Sequence, residues 1–207
     1  MGKLKFTDRE KNNIRDACDR GHRSWGDENL KTVRDKIKER NLNKQNHSCC
    51  YCNIPLNGAF NLIVDIEHII PKSKCIKHMF TSKNLSVSCE RCNVKIKKAK
   101  LDFINVELRN PPGKIFRSRF YKFIHPNLDK YDSHLKLNMH IIGRGKKLIK
   151  YQVVNNSHKG EFNYDYFRLN ELEVNSFDNA QGMKSRVEVI DDMIGDEFKR
   201  LDRDLNV

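Results

Sequence analysis

Cys49-Cys-Tyr-Cys52 and Cys89-Glu-Arg-Cys92, with Ile63-Val-Asp-Ile-Glu-His-Ile-Ile-Pro71 between them, decide how this chain is read. Each cysteine pair has the C-x-x-C spacing that turns two thiolates of one tight knuckle toward the same ion. Cys49, Cys52, Cys89 and Cys92 together therefore predict a tetrahedral four-sulfur Zn²⁺ site. A closed site of that kind is structural, because it leaves no coordination position for water. Any chemistry has to come from the interval between the knuckles. That interval holds Glu67-His68 and then Asn84-Leu-Ser-Val-Ser88, and Asn93 directly follows the second knuckle. Cys50 would pair with Cys52 only as C-x-C, a poorer knuckle, so Cys18, Cys50 and Cys75 read as ordinary free thiols.

Outward from this stretch, Ala59 to Ile70 is rich in β-branched and apolar residues and predicts one strand of a short hairpin ending at Pro71. In an extended chain Val64, Ile66 and His68 fall on one face and Asp65 and Glu67 on the other. Lys72 to Lys83 is a basic loop or broken helix, and Glu90 to about Leu101 has a helical pattern dense in lysine. On the N-terminal side, Thr7-Asp-Arg-Glu10 has the form of a capping box and predicts a helix to about Asp19, before Gly21. A second helix is expected from near Asp27, with Leu30, Val33 and Ile37 as its apolar stripe.

On the C-terminal side, Asn110-Pro-Pro-Gly113 reads as a boundary. Phe116 to Phe123 interleaves basic and aromatic residues in a way that suits backbone contact and base stacking. Leu148 to Val154 and Phe162 to Leu169 are expected to pair as a hairpin around Asn155 to Gly160. Val187, Ile190, Ile194, Phe198 and Leu201 mark one face of a C-terminal amphipathic helix. The expected organisation is an N-terminal helical arm over 1–46, a zinc-stapled core over 47–109, and a C-terminal extension over 110–207 for substrate or partner binding.

The 207 residues carry a net charge of +13, with 38% hydrophobic and 32% charged residues. So lean a core gains from a metal staple, and so positive a surface favours a polyanion: nucleic acid first, an anionic membrane surface second. No apolar run approaches the roughly 20 residues that span a bilayer, and the first residues lack a secretory h-region. A cytoplasmic protein without membrane partners is expected, its cysteines serving as metal ligands and free thiols.

Taken in order, the knuckles, Glu67-His68, Asn84 and Cys92-Asn93 resemble the HNH endonuclease family over Cys49 to about Lys98. The resemblance implies an α+β fold with a ββα-metal core, N-terminal helices and a hairpin-plus-helix extension. It implies that His68 is the general base, with an imidazole suited to taking a proton from water near neutral pH. Glu67, where the family more often has Asp, and Asn93 are then oxygen ligands of a catalytic Mg²⁺ or Mn²⁺, with Asp65 in reserve. Asn84 corresponds to the family's middle Asn, which bridges backbone groups and holds the His68 loop. Ile96 stands where relatives carry a lysine. The implied activity is metal-dependent hydrolysis of DNA, leaving 5′-phosphate and 3′-hydroxyl ends. More loosely, Phe123-Ile-His-Pro-Asn-Leu-Asp129 with Leu169-Asn170 resembles the HNH nucleases of ATPase-linked, Septu-type anti-phage systems, which implies an ATPase partner. The alternatives are a zinc-ribbon module that grips nucleic acid without cutting it, and a protein-interaction adaptor docking through the C-terminal helix.

Overall fold

Thr7 starts the first helix as a capping box: the Glu10 amide donates to Thr7 Oγ1 at 3.2 Å, and the Thr7 amide donates to Glu10 Oε2 at 2.8 Å. In this computed structural model, which describes residues 4–56, 64–108, 114–142 and 146–175, α1 runs over Asp8–Arg20. Gly21 stops it at φ +95°, a conformation that side chains with a Cβ rarely adopt. Two short 3₁₀ turns, His22–Gly26 and Glu28–Leu30, lead into α2, Lys31–Lys44. The stripe expected on α2 is buried, and Leu30, Val33 and Ile37 join Ala17, Met79 and Leu85 in a small core.

The strands of the central pair are β1, Val64–His68, and β2, Leu85–Cys89. They pair antiparallel, with Val64 opposite Cys89 and His68 opposite Leu85. All five residues of β2 are buried. α2 packs on β2, and the helical segment Arg91–Lys97 follows it directly. That segment is a π-helix, closed by the Lys98 amide on the Asn93 carbonyl at 2.7 Å, five residues back. The fold is thus mixed α+β with small sheets, organised around a four-cysteine cluster.

Beyond residue 113 the structure corrects two expectations. Phe162 to Leu169 is not a strand: α3 occupies His158–Tyr166. Asn155 and Asn156 turn through positive φ, and the hydroxyl of Ser157 caps the helix by accepting the Gly160 amide at 3.2 Å. The partner of β4, Lys146–Val153, is β3, Leu135–Ile142, and the two-residue β5, Val174–Asn175, completes this sheet in the order β3-β4-β5. The second correction concerns Phe116 to Phe123. Tyr121 and Phe123 are buried with Phe103, Phe167 and Tyr51 in the large core rather than displayed for stacking. The basic side chains Arg117, Arg119 and Lys122 stay exposed.

The expected turn at Asn110 to Gly113, the first part of the strand read from Ala59, and the helix marked by Val187 to Leu201 lie outside the described residues. Among the described residues no helix is long and apolar enough to cross a membrane.

One glycine is fixed by close packing. A Cβ on Gly160 would sit 2.2 Å from the His134 carbonyl oxygen, whereas one on Gly26 would meet nothing within 4 Å. Gly160→Ala is expected to destabilise by about 1–3 kcal/mol, the usual cost of overpacking, while Gly26→Ala leaves the midpoint of denaturant unfolding nearly unchanged. Equal midpoints for the two variants would contradict this packing.

Candidate functional site

The first knuckle is a backbone turn before it is a metal site. The Cys49 amide donates to the Ile54 carbonyl at 3.0 Å, and the Asn53 amide donates to the Cys49 carbonyl at 2.9 Å with Asn53 at φ +57°. The second knuckle comes from the end of β2 and the start of the π-helix. Together they place the Sγ atoms of Cys49, Cys52, Cys89 and Cys92 within 4.8 Å of one another, all buried. Cys52 and Cys89 are 3.9 Å apart, and the Cys89 amide donates to Cys49 Sγ at 3.4 Å. Zn–S bonds of about 2.3 Å would put the sulfurs of a tetrahedron about 3.8 Å apart, close to the 3.9 Å between Cys52 and Cys89, so the donor set could hold such an ion.

The electrostatics point the same way. Burial pushes the Cys49 thiol up, but hydrogen bonds from Cys50, Cys52, Cys89 and Cys92 outweigh it and hold the group well below the ordinary thiol range. Cys49 and Cys89 push Cys52 well above that range. A divalent cation would satisfy all four buried sulfurs as thiolates. Cys50 borders the cluster without being one of the four: its amide donates to the Val87 carbonyl at 3.1 Å, and burial, then the hydrogen bond with Cys49, pushes its thiol well above the ordinary range.

Between the knuckles two layers of polar contacts join β1 to the π-helix. Asp65 and Glu67 share a strand face at spacing i, i+2, and Asn93 and Lys97 stand at i, i+4 on the helix. The outer layer is Asn93 Nδ2 donating to Asp65 Oδ2 at 3.4 Å, half-exposed. The inner layer is buried: Lys97 Nζ lies 2.6 Å from Glu67 Oε1, with the two side chains 1% and 2% exposed. The Lys97 ammonium also donates to the His68 carbonyl at 3.1 Å, and the Tyr51 hydroxyl donates to Glu67 Oε1 at 2.9 Å. Glu67 and Asn93, expected to share an ion, thus have different partners. Lys97 lies on the buried side of the π-helix, which carries more residues per turn than an α-helix.

His68 ends β1 and is 7% exposed. Its Nε2 is 3.1 Å from the Met79 carbonyl oxygen, which can only accept, so the proton sits on Nε2 and Nδ1 keeps a lone pair. Burial first, then the positive charge of Lys72, lowers the imidazole to about 3, so the ring is neutral at pH 7. The edge of the Trp25 indole packs on it, with ring centroids 4.4 Å apart. Asn84, fully buried, clamps the loop beyond: its Oδ1 accepts the Ile70 amide at 2.7 Å, and its Nδ2 donates to the Ile70 and His78 carbonyls at 3.0 Å each.

Three participants escaped the sequence reading. Lys97 was hidden by the π-helix, Tyr51 by its place inside the knuckle, and Trp25 by its distance along the chain. The C-terminal segment also contributes. The Tyr151 hydroxyl donates to the Cys52 carbonyl at 2.7 Å and Asn163 Nδ2 to the Tyr51 carbonyl at 2.9 Å, which pins the first knuckle from outside. No model of a known protein family matches the chain, and neither does any curated protein.

Two outcomes check this geometry. Serine at Cys49, Cys52, Cys89 or Cys92 is expected to cost bound metal and thermal stability together, whereas the half-exposed Cys18 and Cys75 tolerate serine with metal retained. Elemental analysis beside melting curves reads both. Lys97→Met leaves a buried carboxylate without its cation and is expected to cost about 3–5 kcal/mol. Adding Glu67→Gln should recover a large part of that loss in a double-mutant cycle. Additive losses would mean that the pair does not interact.

Proposed function

We propose that the chain is a metal-dependent nuclease of the HNH type, with a structural zinc at the four cysteines and His68 as general base toward the phosphodiester bonds of nucleic acid, DNA first. The observation that carries this reading is the state of His68. With Nε2–H committed to the Met79 carbonyl, Nδ1 keeps the lone pair a base uses, while burial, which lowers the imidazole to about 3, weakens that base as long as the site stays enclosed. Asn84 keeps that ring's loop fixed, and the β1-β2 pair followed by a helical segment agrees with a ββα-metal arrangement.

The oxygen donors of Asn93 and of a β1 carboxylate suit a hard divalent ion, Mg²⁺ or Mn²⁺. Since Glu67 is held by Lys97 and Tyr51, the half-exposed Asp65 beside Asn93 is its nearer partner. Such an ion would supply charge stabilisation for the phosphate oxygens. The protein's own part is to hold the neutral base, to exclude bulk water around it with Trp25, and to attract the polyanion through its net charge of +13. A grip that does not cut is the second reading, and the enclosure of His68 speaks for it.

The test is a supercoiled plasmid with Mg²⁺ or Mn²⁺. The wild-type chain is expected to nick it. His68→Ala should lose that activity by roughly 10²-fold or more while keeping its fold and its salt-dependent DNA affinity. Asp65→Asn should lose activity with zinc retained. Equal nicking by wild type and His68→Ala removes the base assignment, and tight binding without nicking in either favours the grip.

A further inference from the structure

Two lysines reach His68 with their charge, Lys72 more strongly than Lys97, and they stand in opposite conditions. Lys97 is fully committed. Its ammonium, 1% exposed, bonds Glu67 Oε1 and the His68 carbonyl and lies over the Phe103 ring, 5.4 Å from its centroid. Lys72 is half-buried and keeps contact with solvent. Among the described residues no carboxylate or other acceptor takes its ammonium: Glu67, the carboxylate that acts on it, already has Oε1 bonded by Lys97 and Tyr51. Burial pushes the Lys72 ammonium below the ordinary lysine range, and the pull of Glu67 opposes that shift. A partly dehydrated cation without a partner is a cost in the folded chain.

The backbone, and not a contact of its own side chain, sets where Lys72 stands. Asn84 holds both the amide and the carbonyl of Ile70, and the buried Pro71 follows. The Pro71 carbonyl then accepts the amides of Lys74 at 2.8 Å and Cys75 at 3.1 Å, which closes a turn over Lys72. The same loop that is clamped beyond His68 thus carries an uncommitted ammonium beside the imidazole. We infer that Lys72 is the phosphate-binding group of the candidate site, its ammonium donating to a non-bridging oxygen of the phosphodiester presented to His68. The choice of a phosphodiester over another anion rests on the nuclease reading above; the free ammonium beside the imidazole does not. A compact ammonium with three donors suits a phosphate, whose charge is spread over its non-bridging oxygens. With the imidazole neutral and Lys97 consumed by Glu67, Lys72 is the cation left to meet that charge, and the anion would offset its dehydration.

Binding is read first, without Mg²⁺ or Mn²⁺, from the anisotropy of a labelled DNA duplex titrated with the full chain over a range of salt. Each phosphate neutralised contributes about 0.9 to the slope of log K against log salt. Lys72→Met is expected to lower the slope by about that amount and Lys72→Arg to keep it. Lys11→Met removes the same charge from an exposed position on α1, where Lys11 pairs with Asp8, and should keep the slope too. On supercoiled plasmid with Mg²⁺, Lys72→Met should lose roughly tenfold or more in kcat/KM, the size of one hydrogen bond to a charged group, and Lys72→Arg should recover most of it. Because the ammonium has no partner in the described chain, Lys72→Met should melt no lower than wild type. An unchanged slope in Lys72→Met, an equal fall in Lys11→Met, or a lower melting temperature in both Lys72 variants would overturn the assignment. A slope that falls in Lys72→Met while wild type leaves the plasmid intact removes the nuclease reading and keeps the phosphate contact.

Discussion

Four buried sulfur atoms within 4.8 Å of one another are the constraint on which this fold depends. Two thiolates about 4 Å apart repel by about 4 kcal/mol even at an effective dielectric of 20, and every pair in the cluster adds to the sum. Such a group can exist protonated and mutually hydrogen-bonded, or ionised around a cation. Only the second form adds free energy to folding, on the order of 10–16 kcal/mol for a structural zinc site. The cluster closes the chain from Cys49 to Cys92 into a loop whose ends meet, so β1, β2 and the residues between them are held in register from a single point. The C-terminal segment then seals that point: Tyr151, Tyr131 and Asn163 all donate to carbonyls of Tyr51 or Cys52.

Next to the cluster, the strand and helix periods set the polar interior. Residues two apart on β1 face residues four apart on the π-helix, which produces one half-exposed contact, Asp65 with Asn93, and one buried ion pair, Glu67 with Lys97. The buried pair is not decoration that an apolar pair could replace without consequence. Lys97 also bonds the His68 carbonyl, so the charge that neutralises Glu67 fixes the peptide carrying the imidazole. Buried ion pairs contribute little net stability against apolar isosteres. What this one contributes is position.

Which parts of this were legible in the sequence follows from how local their causes are. The capping box at Thr7, the stripe of α2 and the meeting of the two knuckles rest on spacings of a few residues, and the structure has all three. Asn84 bonds backbone groups of Ile70, contacts that a turn-forming Asn also makes. The Phe162 to Leu169 error has a physical cause too. Its aromatic and β-favouring composition outweighed a helix signal that was present, Ser157 followed by Gly160 and Glu161, and the alternation Leu135, Leu137, Met139, Ile141 went unread. Lys97 and Trp25 had no local signal. The first depends on a π-helix, the second on how a loop folds across the chain.

Trp25 shows why the N-terminal arm belongs to the candidate site and is more than a support. A single short turn, His22–Gly26, carries it, and that turn is anchored from several sides. Gly21 supplies the positive φ, the buried Ser24 hydroxyl donates to the Ala17 carbonyl at 2.7 Å, and Arg34 Nη1 donates to the carbonyls of Trp25 and Asp27 at 2.7 Å each. The Arg20 to Asp27 ion pair closes its base at 2.6 Å. Ordering a backbone residue costs about 1–2 kcal/mol, so a five-residue turn needs such anchors to stay put. What they hold in place is a ring edge on an imidazole whose burial keeps it neutral. The water exclusion that sets the protonation state of His68 is therefore built in part by Trp25, more than forty positions away in sequence.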